Sequence, residues 1–305
     1  MRTIITGGAG FIGSHLLDRL IRDGHTVSVI DNLSSGDKSR VPDGVTLHVA
    51  DIRDANTMTE IVTDERPELI FHLAAQISVR HSVADPQNDA TTNIGGTLNL
   101  LTAGQQVGAR IILASTGGAM YGDGVPMPTI ETVLPQTEAP YGISKYCAEA
   151  YLSLFNRLYG TRHLSLRLGN AYGPRQDPHG EAGVVAIFCG QIARGETPTI
   201  FGDGTQTRDY VYVADVIEAF MAAADYTGTE AVFNIGTGAG TSVLTLLDAV
   251  NAAAGTAIAP RFAPERDGEW KHGALDSSRA ATELGWIAAT TVTDGILRTY
   301  QQLTA

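Results

Sequence analysis

The run Thr6-Gly7-Gly8-Ala9-Gly10-Phe11-Ile12-Gly13 constrains the fold of this chain more than any other stretch. It follows a β-branched run, Thr3–Thr6, and opens into a helical period from Ile12, so the glycines fall at a strand-to-helix turn. A glycine-rich turn in that place lets backbone approach a pyrophosphate, which then rests on the positive end of the helix. Gly7, Gly10 and Gly13 have that context. Asp31 ends the next strand-like run about 20 residues further on, where a carboxylate can accept from both hydroxyls of an adenosine ribose. Asn32, Leu33, Ser34, Ser35 and Gly36 follow it, with no Arg among them to pair a 2′-phosphate, so the pattern favours NAD over NADP.

Strand-like runs recur at Thr26–Ile30, Val45–Val49, Leu69–His72, Arg110–Ala114 and Leu164–Leu168. Helical periods alternate with them near Ile12–Asp23, Ala55–Asp64, Asn88–Val107 and Tyr141–Tyr159. That alternation predicts an α/β fold, a Rossmann-type doubly wound parallel sheet with helices on both faces. From Asn170 the texture changes to Gly, Pro and polar punctuation, which predicts a smaller C-terminal α/β lobe. The expected division is 1–169 and 170–305, with part of 206–238, around Tyr210–Val213 and Val232–Ile235, returning to the first unit. Apolar residues on more than one face of the helices at 88–107 and 141–159 suggest a subunit contact, hence a homodimer.

The formal charge of −12 argues against nucleic acid as a partner. Cys147 and Cys189 are the two cysteines, one in a predicted helix and one in an apolar run, as expected of buried thiols in a reducing compartment. The chain begins directly with a strand, and no apolar run approaches the roughly 20 residues that span a bilayer. A soluble, cytoplasmic protein without membrane contact is expected. His72, His81 and His179 lack the spacing and acidic partners of a metal site, so no metal is expected.

In such a fold, ligands lie at the C-terminal ends of the strands. Leu73-Ala74-Ala75-Gln76, Ser115-Thr116-Gly117-Gly118 and the helix opening at Tyr141 should therefore meet. Tyr141 and Lys145 share one helix face. A phenol, with an ordinary pKa near 10, is a poor base at neutral pH unless its anion is stabilised. Lys145 and a positive nicotinamide ring would supply that, making Tyr141 a base for a hydroxyl, with Thr116 or Ser115 sharing the proton. Asp51-Ile52, after the third strand, could edge the adenine or cap a helix.

The chain resembles the extended short-chain dehydrogenases, specifically the NAD-dependent nucleotide-sugar epimerase/dehydratase family. The resemblance runs through TGGAGFIGSH at 6–15, DNLSSG at 31–36, HLAAQISVRHSVADP at 72–86, NIGGT at 93–97, YGISK at 141–145, NAYGPRQDPHGEAGVVAIF at 170–188, FGDGTQTRDYVYVADV at 201–216, FNIGTG at 233–238 and LGW at 284–286. It implies an isomerase of carbohydrate metabolism: a UDP-hexose is epimerised at C4 through a transient 4-keto sugar, with NAD tightly held. It adds Phe11, Ile12, Asn32, Ser35, Gly36 and Asn93 to the cofactor set. For the UDP-sugar it implies Asn170, Arg208 and Arg266 at the diphosphate, Thr199 and Phe201 at the uracil, Glu269 at the uridine ribose, and Val184 beside them. A salt bridge to Asp203 or Asp209 is the competing reading of Arg208.

Two departures from the family bear on chemistry. Many members carry Ser or Thr four residues before the Tyr-Gly after strand five, where this chain has Gly117, so Thr116 is the nearest hydroxyl. Dehydratase relatives place an Asp-Glu pair there, and Gly117-Gly118 cannot supply that acid and base. Where some relatives have a bulky Tyr, this chain has Gly273, which leaves room for an N-acetyl group. Asp177 would repel a C6 carboxylate if it pointed inward, which disfavours the alternative of a UDP-glucuronate 4-epimerase or decarboxylase. A non-catalytic NAD-binding regulator, the remaining alternative, would typically have lost Tyr141 or Lys145.

Overall fold

Continuous apolar runs such as Ile4-Ile5, Val29-Ile30 and Ile70-Phe71 suit strands covered on both faces, and all six of these side chains are fully buried. A computed structural model describes residues 1–178, 183–265 and 271–304. The first part runs β1 (Arg2–Thr6), α1 (Phe11–Arg22), β2 (Thr26–Asp31), β3 (Thr46–Val49), α2 (Ala55–Glu65) and β4 (Leu69–His72). Two short helices, α3 (Val79–Ala84) and α4 (Pro86–Ala90), lead through a wide π-type turn at Thr91–Gly95 into α5 (Gly96–Val107). Then come β5 (Arg110–Thr116), α6 (Pro140–Tyr159) and β6 (Leu164–Leu168). The remainder is β7 (Asn170–Tyr172), α7 (Val184–Ala193), β8 (Thr199–Phe201), β9 (Thr207–Tyr212), α8 (Val213–Asp225), β10 (Val232–Ile235), β11 (Gly240–Ser242), α9 (Val243–Ala254), β12 (Arg261–Ala263) and α10 (Val292–Thr304).

Seven strands form one parallel sheet in the order β10-β6-β5-β4-β1-β2-β3. The order turns back between β1 and β4, and the crevice at such a switch point is where open α/β sheets bind ligands. Successive side chains serve opposite faces. Ile5, Phe71 and Ile112 pack with Leu16 and Leu20 of α1 and Phe220 of α8. Ile4, Ile70 and Ile111 pack with Met58 of α2, Leu101 of α5 and Leu152 of α6. A separate core gathers Phe188 of α7, Leu246 and Val250 of α9 and Ile296 of α10 beneath two small sheets, β11-β9-β7 and β12-β8.

Val232–Ile235 forms β10 and pairs with β6 in the large sheet. Tyr210-Val211-Tyr212 does not join it, because β9 is flanked by β7 and β11 in the three-stranded sheet. The helix expected at Asn88–Val107 starts at Pro86 and widens at Thr91–Gly95. There the Thr97 hydroxyl donates to the Asn93 carbonyl at 2.6 Å while the Asn93 side chain reaches outward to other elements. Such widened turns are frequent at functional sites.

Candidate active site

The glycine turn closes on itself through backbone. Gly7 has φ +73°, and a Cβ there would lie 2.8 Å from the Ala74 nitrogen. A Cβ at Gly13 would strike the Gly7 carbonyl oxygen. Gly10 caps α1 with no side-chain hydrogen bond, so the first amides of the helix face the crevice. Asp31 braces the turn, accepting from the Ala9 N–H at 3.0 Å and the Leu33 N–H at 2.9 Å. These oxygens retain lone pairs for ribose hydroxyls.

A cleft of about 430 Å³ runs from Asp31 past the glycine turn to Tyr141 and Lys145. Gly7, Gly10, Phe11, Ile12, Gly13, Asn32, Ser35 and Gly36 wall one end, with Asp51 and Ile52 at its edge. Leu73, Ala74, Ala75 and Gln76 form the middle, and Ser115 lies beside Tyr141 and Lys145. Asp51 is not a helix cap, since α2 is capped by Asp54. Hydrogen bonds from Arg53 are the main cause of an Asp51 pKa lowered to about 2, and Asn32 donates to the same carboxylate. Ser34 of the 31–36 motif also lines the cleft, as do Arg53, Asn88 and Thr92, which lie outside the motifs.

Asn93 lies one layer behind the wall. Its side-chain oxygen accepts from the Gln76 N–H at 2.9 Å, and its amide donates to the Gln76 carbonyl, Asp89 and Ser144. Thr6, His72 and Thr97 form a similar buried chain, with His72 Nδ1 at 2.8 Å from Thr6 and Nε2 at 3.0 Å from Thr97. The Thr6 hydroxyl also accepts from the Leu73 and Ala74 N–H groups, which fixes the end of β4. Burial, aided by the Lys145 charge, drives the His72 pKa down to about 3, so this ring is a neutral strut.

Tyr141 and Lys145 both open α6, and Gly142 between them allows the first turn to press against the Ala119 carbonyl. Burial pushes the phenol up to about 12, Asp89 adds to the rise, and a hydrogen bond with Thr116 opposes it. Within the protein alone, burial outweighs the Thr116 hydrogen bond. Lys145 is 3% exposed, and burial brings its own pKa down to about 8 against the pull of Glu149 and Asp89. Thr116 accepts from the Ala119 N–H at 3.1 Å besides bonding Tyr141. The Ser115 hydroxyl is buried on the cleft wall with no hydrogen-bond partner.

Next to Thr116 in the chain, Gly117 and Gly118 border a hollow together with Asn170, Arg208, Gly273 and Leu275. A Cβ on Gly117 would lie 2.5 Å from Leu275 Cδ1, so a Ser or Thr there would require the buried Leu275 side chain to shift. Arg208 donates to the Thr207 carbonyl at 2.8 Å. Both Asp209 oxygens are taken by Thr237, Gly238 and Leu275, and Asp203 is held by Thr205. Phe201 borders a neighbouring cavity of about 160 Å³ with Gln206, Glu265, Lys271 and His272. Val184 and Thr199 border none of these spaces, and Thr199 instead accepts from Arg261 at 3.2 Å. Asp177 is exposed and does not border the hollow. Arg266, Glu269 and His179 lie outside the described residues. Among the described residues no helix is long and apolar enough to cross a membrane.

A doubly wound sheet, a glycine turn fitted to a pyrophosphate and a Tyr/Lys pair at the far end of the same cleft define a dinucleotide-binding enzyme of the short-chain dehydrogenase type. The chain belongs to the NAD dependent epimerase/dehydratase family, whose profile matches residues 3–236. It is 44% identical to a UDP-glucose 4-epimerase of Mycolicibacterium smegmatis, over 99% of this chain and 98% of that protein. The crystal structure of a Thermotoga maritima UDP-glucose 4-epimerase with UDP-glucose superposes with a TM-score of 0.97 at 46% identity, covering 99% of this chain and 98% of that one. A Thermus thermophilus UDP-glucose 4-epimerase in complex with NAD gives 0.92 at 43% identity, with 99% and 98% covered. The cofactor of this chain is NAD.

Proposed function

We propose that this chain is an isomerase that interconverts a UDP-hexose and its C4 epimer, UDP-glucose and UDP-galactose, through a 4-keto sugar. The observation that carries the reading is that Tyr141 on the NAD cleft is bonded to Thr116, whose chain neighbours Gly117 and Gly118 border the hollow with Asn170 and Arg208. Near-complete coverage by UDP-glucose 4-epimerases supports it. NAD, when bound, supplies the acceptor and later the donor of the C4 hydrogen. Tyr141 Oη takes the 4-hydroxyl proton and returns it, with Thr116 as its hydrogen-bond partner. A phenol near 12 stays protonated at neutral pH, so the Lys145 cation and the positive charge of oxidised NAD are needed to stabilise its anion.

Residues 1–169, with β10 returning to their sheet, hold NAD in this reading, while 170–305 hold the UDP moiety. Asn170, Arg208 and Arg266 meet the diphosphate, Arg being suited to phosphate oxygens. Phe201 flanks the uracil, Glu269 accepts from the uridine ribose, and Val184 and Thr199 support the nucleotide. Glycine at 117, 118 and 273 keeps part of the hollow's border free of side chains, and the N-acetylhexosamine pair is the second substrate in this reading.

A homodimer in the cytoplasm completes the proposal. Tyr141 and Lys145 occupy one face of α6, while Ile143 and Leu158, 51% and 62% exposed, lie on the opposite face by helical spacing. On α5 no large apolar side chain is exposed, so α6 provides most of the apolar contact. Light scattering at micromolar concentration should give twice the chain mass. The function itself is tested by incubating the purified protein with UDP-glucose, UDP-N-acetylglucosamine and UDP-glucuronate without added NAD. Conversion of the first two to their C4 epimers is expected; an enzyme active only on the glucuronate would overturn the substrate assignment.

A further inference from the structure

Asp89, in α4, is 1% exposed and faces the helix that carries Tyr141 and Lys145. Its Oδ1 accepts from Gln76 Nε2 at 2.8 Å and Asn93 Nδ2 at 3.1 Å, and its Oδ2 is buried with no partner. Asn93 donates in turn to Ser144, the residue before Lys145, at 2.9 Å. The carboxylate is thus linked to α6 between the two active side chains. A buried carboxylate without a cation is costly, and the two donors on Oδ1 could be met equally well by an uncharged amide. The charge itself therefore calls for an explanation.

The charged groups acting on Lys145 are Glu149 from its own helix and Asp89 from α4, while Lys145 itself acts on His72 of β4 and Tyr141 shares its helix face. Glu149 is already committed, since Arg167 binds it through Nη2 at 2.7 Å and Nε at 3.1 Å. His72 is neutral. Among the described residues Asp89 has no ion-pair partner. We propose that Asp89 is a positioning residue for the Tyr141/Lys145 pair, its buried carboxylate serving as a counter-charge to Lys145 and tied to α6 through Asn93 and Ser144. Asp89 raises the proton affinity of Lys145; its effect on Tyr141 has the same sign, so the phenolate depends the more on the Lys145 cation. It borders neither the cleft nor the hollow, and lies behind Gln76 of the cleft wall.

The inference rests on Tyr141 and Lys145 being the proton-handling pair of an epimerase. Asp89→Asn keeps the shape and the acceptor but removes the charge, so both limbs of the kcat/KM pH profile should move down by about one unit. The phenolate absorbance of the holoenzyme, with Tyr141→Phe subtracted, should titrate lower by a similar amount. Asp89→Glu keeps the charge while displacing the hydrogen bonds, so its limbs should stay in place as the rate falls. Unmoved limbs in Asp89→Asn, or shifted limbs in Asp89→Glu, would overturn the role; if the Asn variant does not fold, the Glu variant decides alone. A wild-type enzyme inactive on every UDP-sugar would instead remove the epimerase reading.

Discussion

The two halves of the site are built by different means. On the NAD side the walls are one strand-turn-helix unit and neighbouring strand ends, fitted so closely that glycine is required at Gly7 and Gly13. On the sugar side, segments far apart in the chain are stitched together. Thr129 pairs with Leu275, Asp123 accepts from the Lys271 N–H at 2.9 Å, and Asp209 accepts from both Thr237 and Leu275. A local motif produces a rigid cradle, whereas a stitched hollow can change its shape one contact at a time. The contrast suggests why one fold can keep its cofactor while its substrates differ.

If that contrast holds, four substitutions should separate the halves. Tyr141→Phe removes the hydroxyl bonded to Thr116 and should lower kcat by about 1,000-fold while NAD stays bound, as seen by turnover and by assay of released dinucleotide. Gly13→Val forces the turn open against the Gly7 carbonyl, and NAD affinity should fall about 100-fold in a fluorescence titration. Gly117→Ser overpacks against Leu275 and should cost about 1–3 kcal/mol in a denaturant melt, with Leu275→Ala recovering most of it. Asp123→Ala releases an exposed carboxylate from backbone amides, so KM for the UDP-sugar should rise about threefold with kcat unchanged. A Gly13→Val enzyme with normal NAD affinity, or an Asp123→Ala enzyme that loses NAD, would break the contrast.

What could be read from the sequence follows the same division. The spacing of Gly7, Gly10 and Gly13, Asp31 at the end of β2 and the turn of helix between Tyr141 and Lys145 are local patterns, and the structure brings them to one cleft. Asp89 left no such trace, because a lone Asp in a polar stretch shows its meaning only once α4 packs on α6. The direction of the Tyr141 shift was equally hidden, since burial of the phenol depends on that packing. Side-chain direction was the other blind spot. Asp177 points to solvent and Thr199 turns to Arg261, neither of which spacing could tell. Gly117 was visible as a departure, but the side chain beside it, Leu275, lies 158 positions further along the chain.

The central claim is that C4 loses and regains the same hydrogen within one active site, with Tyr141 handling only the proton of the hydroxyl. UDP-glucose carrying deuterium at C4 tests it most directly. Magnetic resonance of the UDP-galactose formed should show the deuterium still at C4, with none released to water. Label washed out into solvent would mean that C4 exchanges as a proton, and would contradict the account.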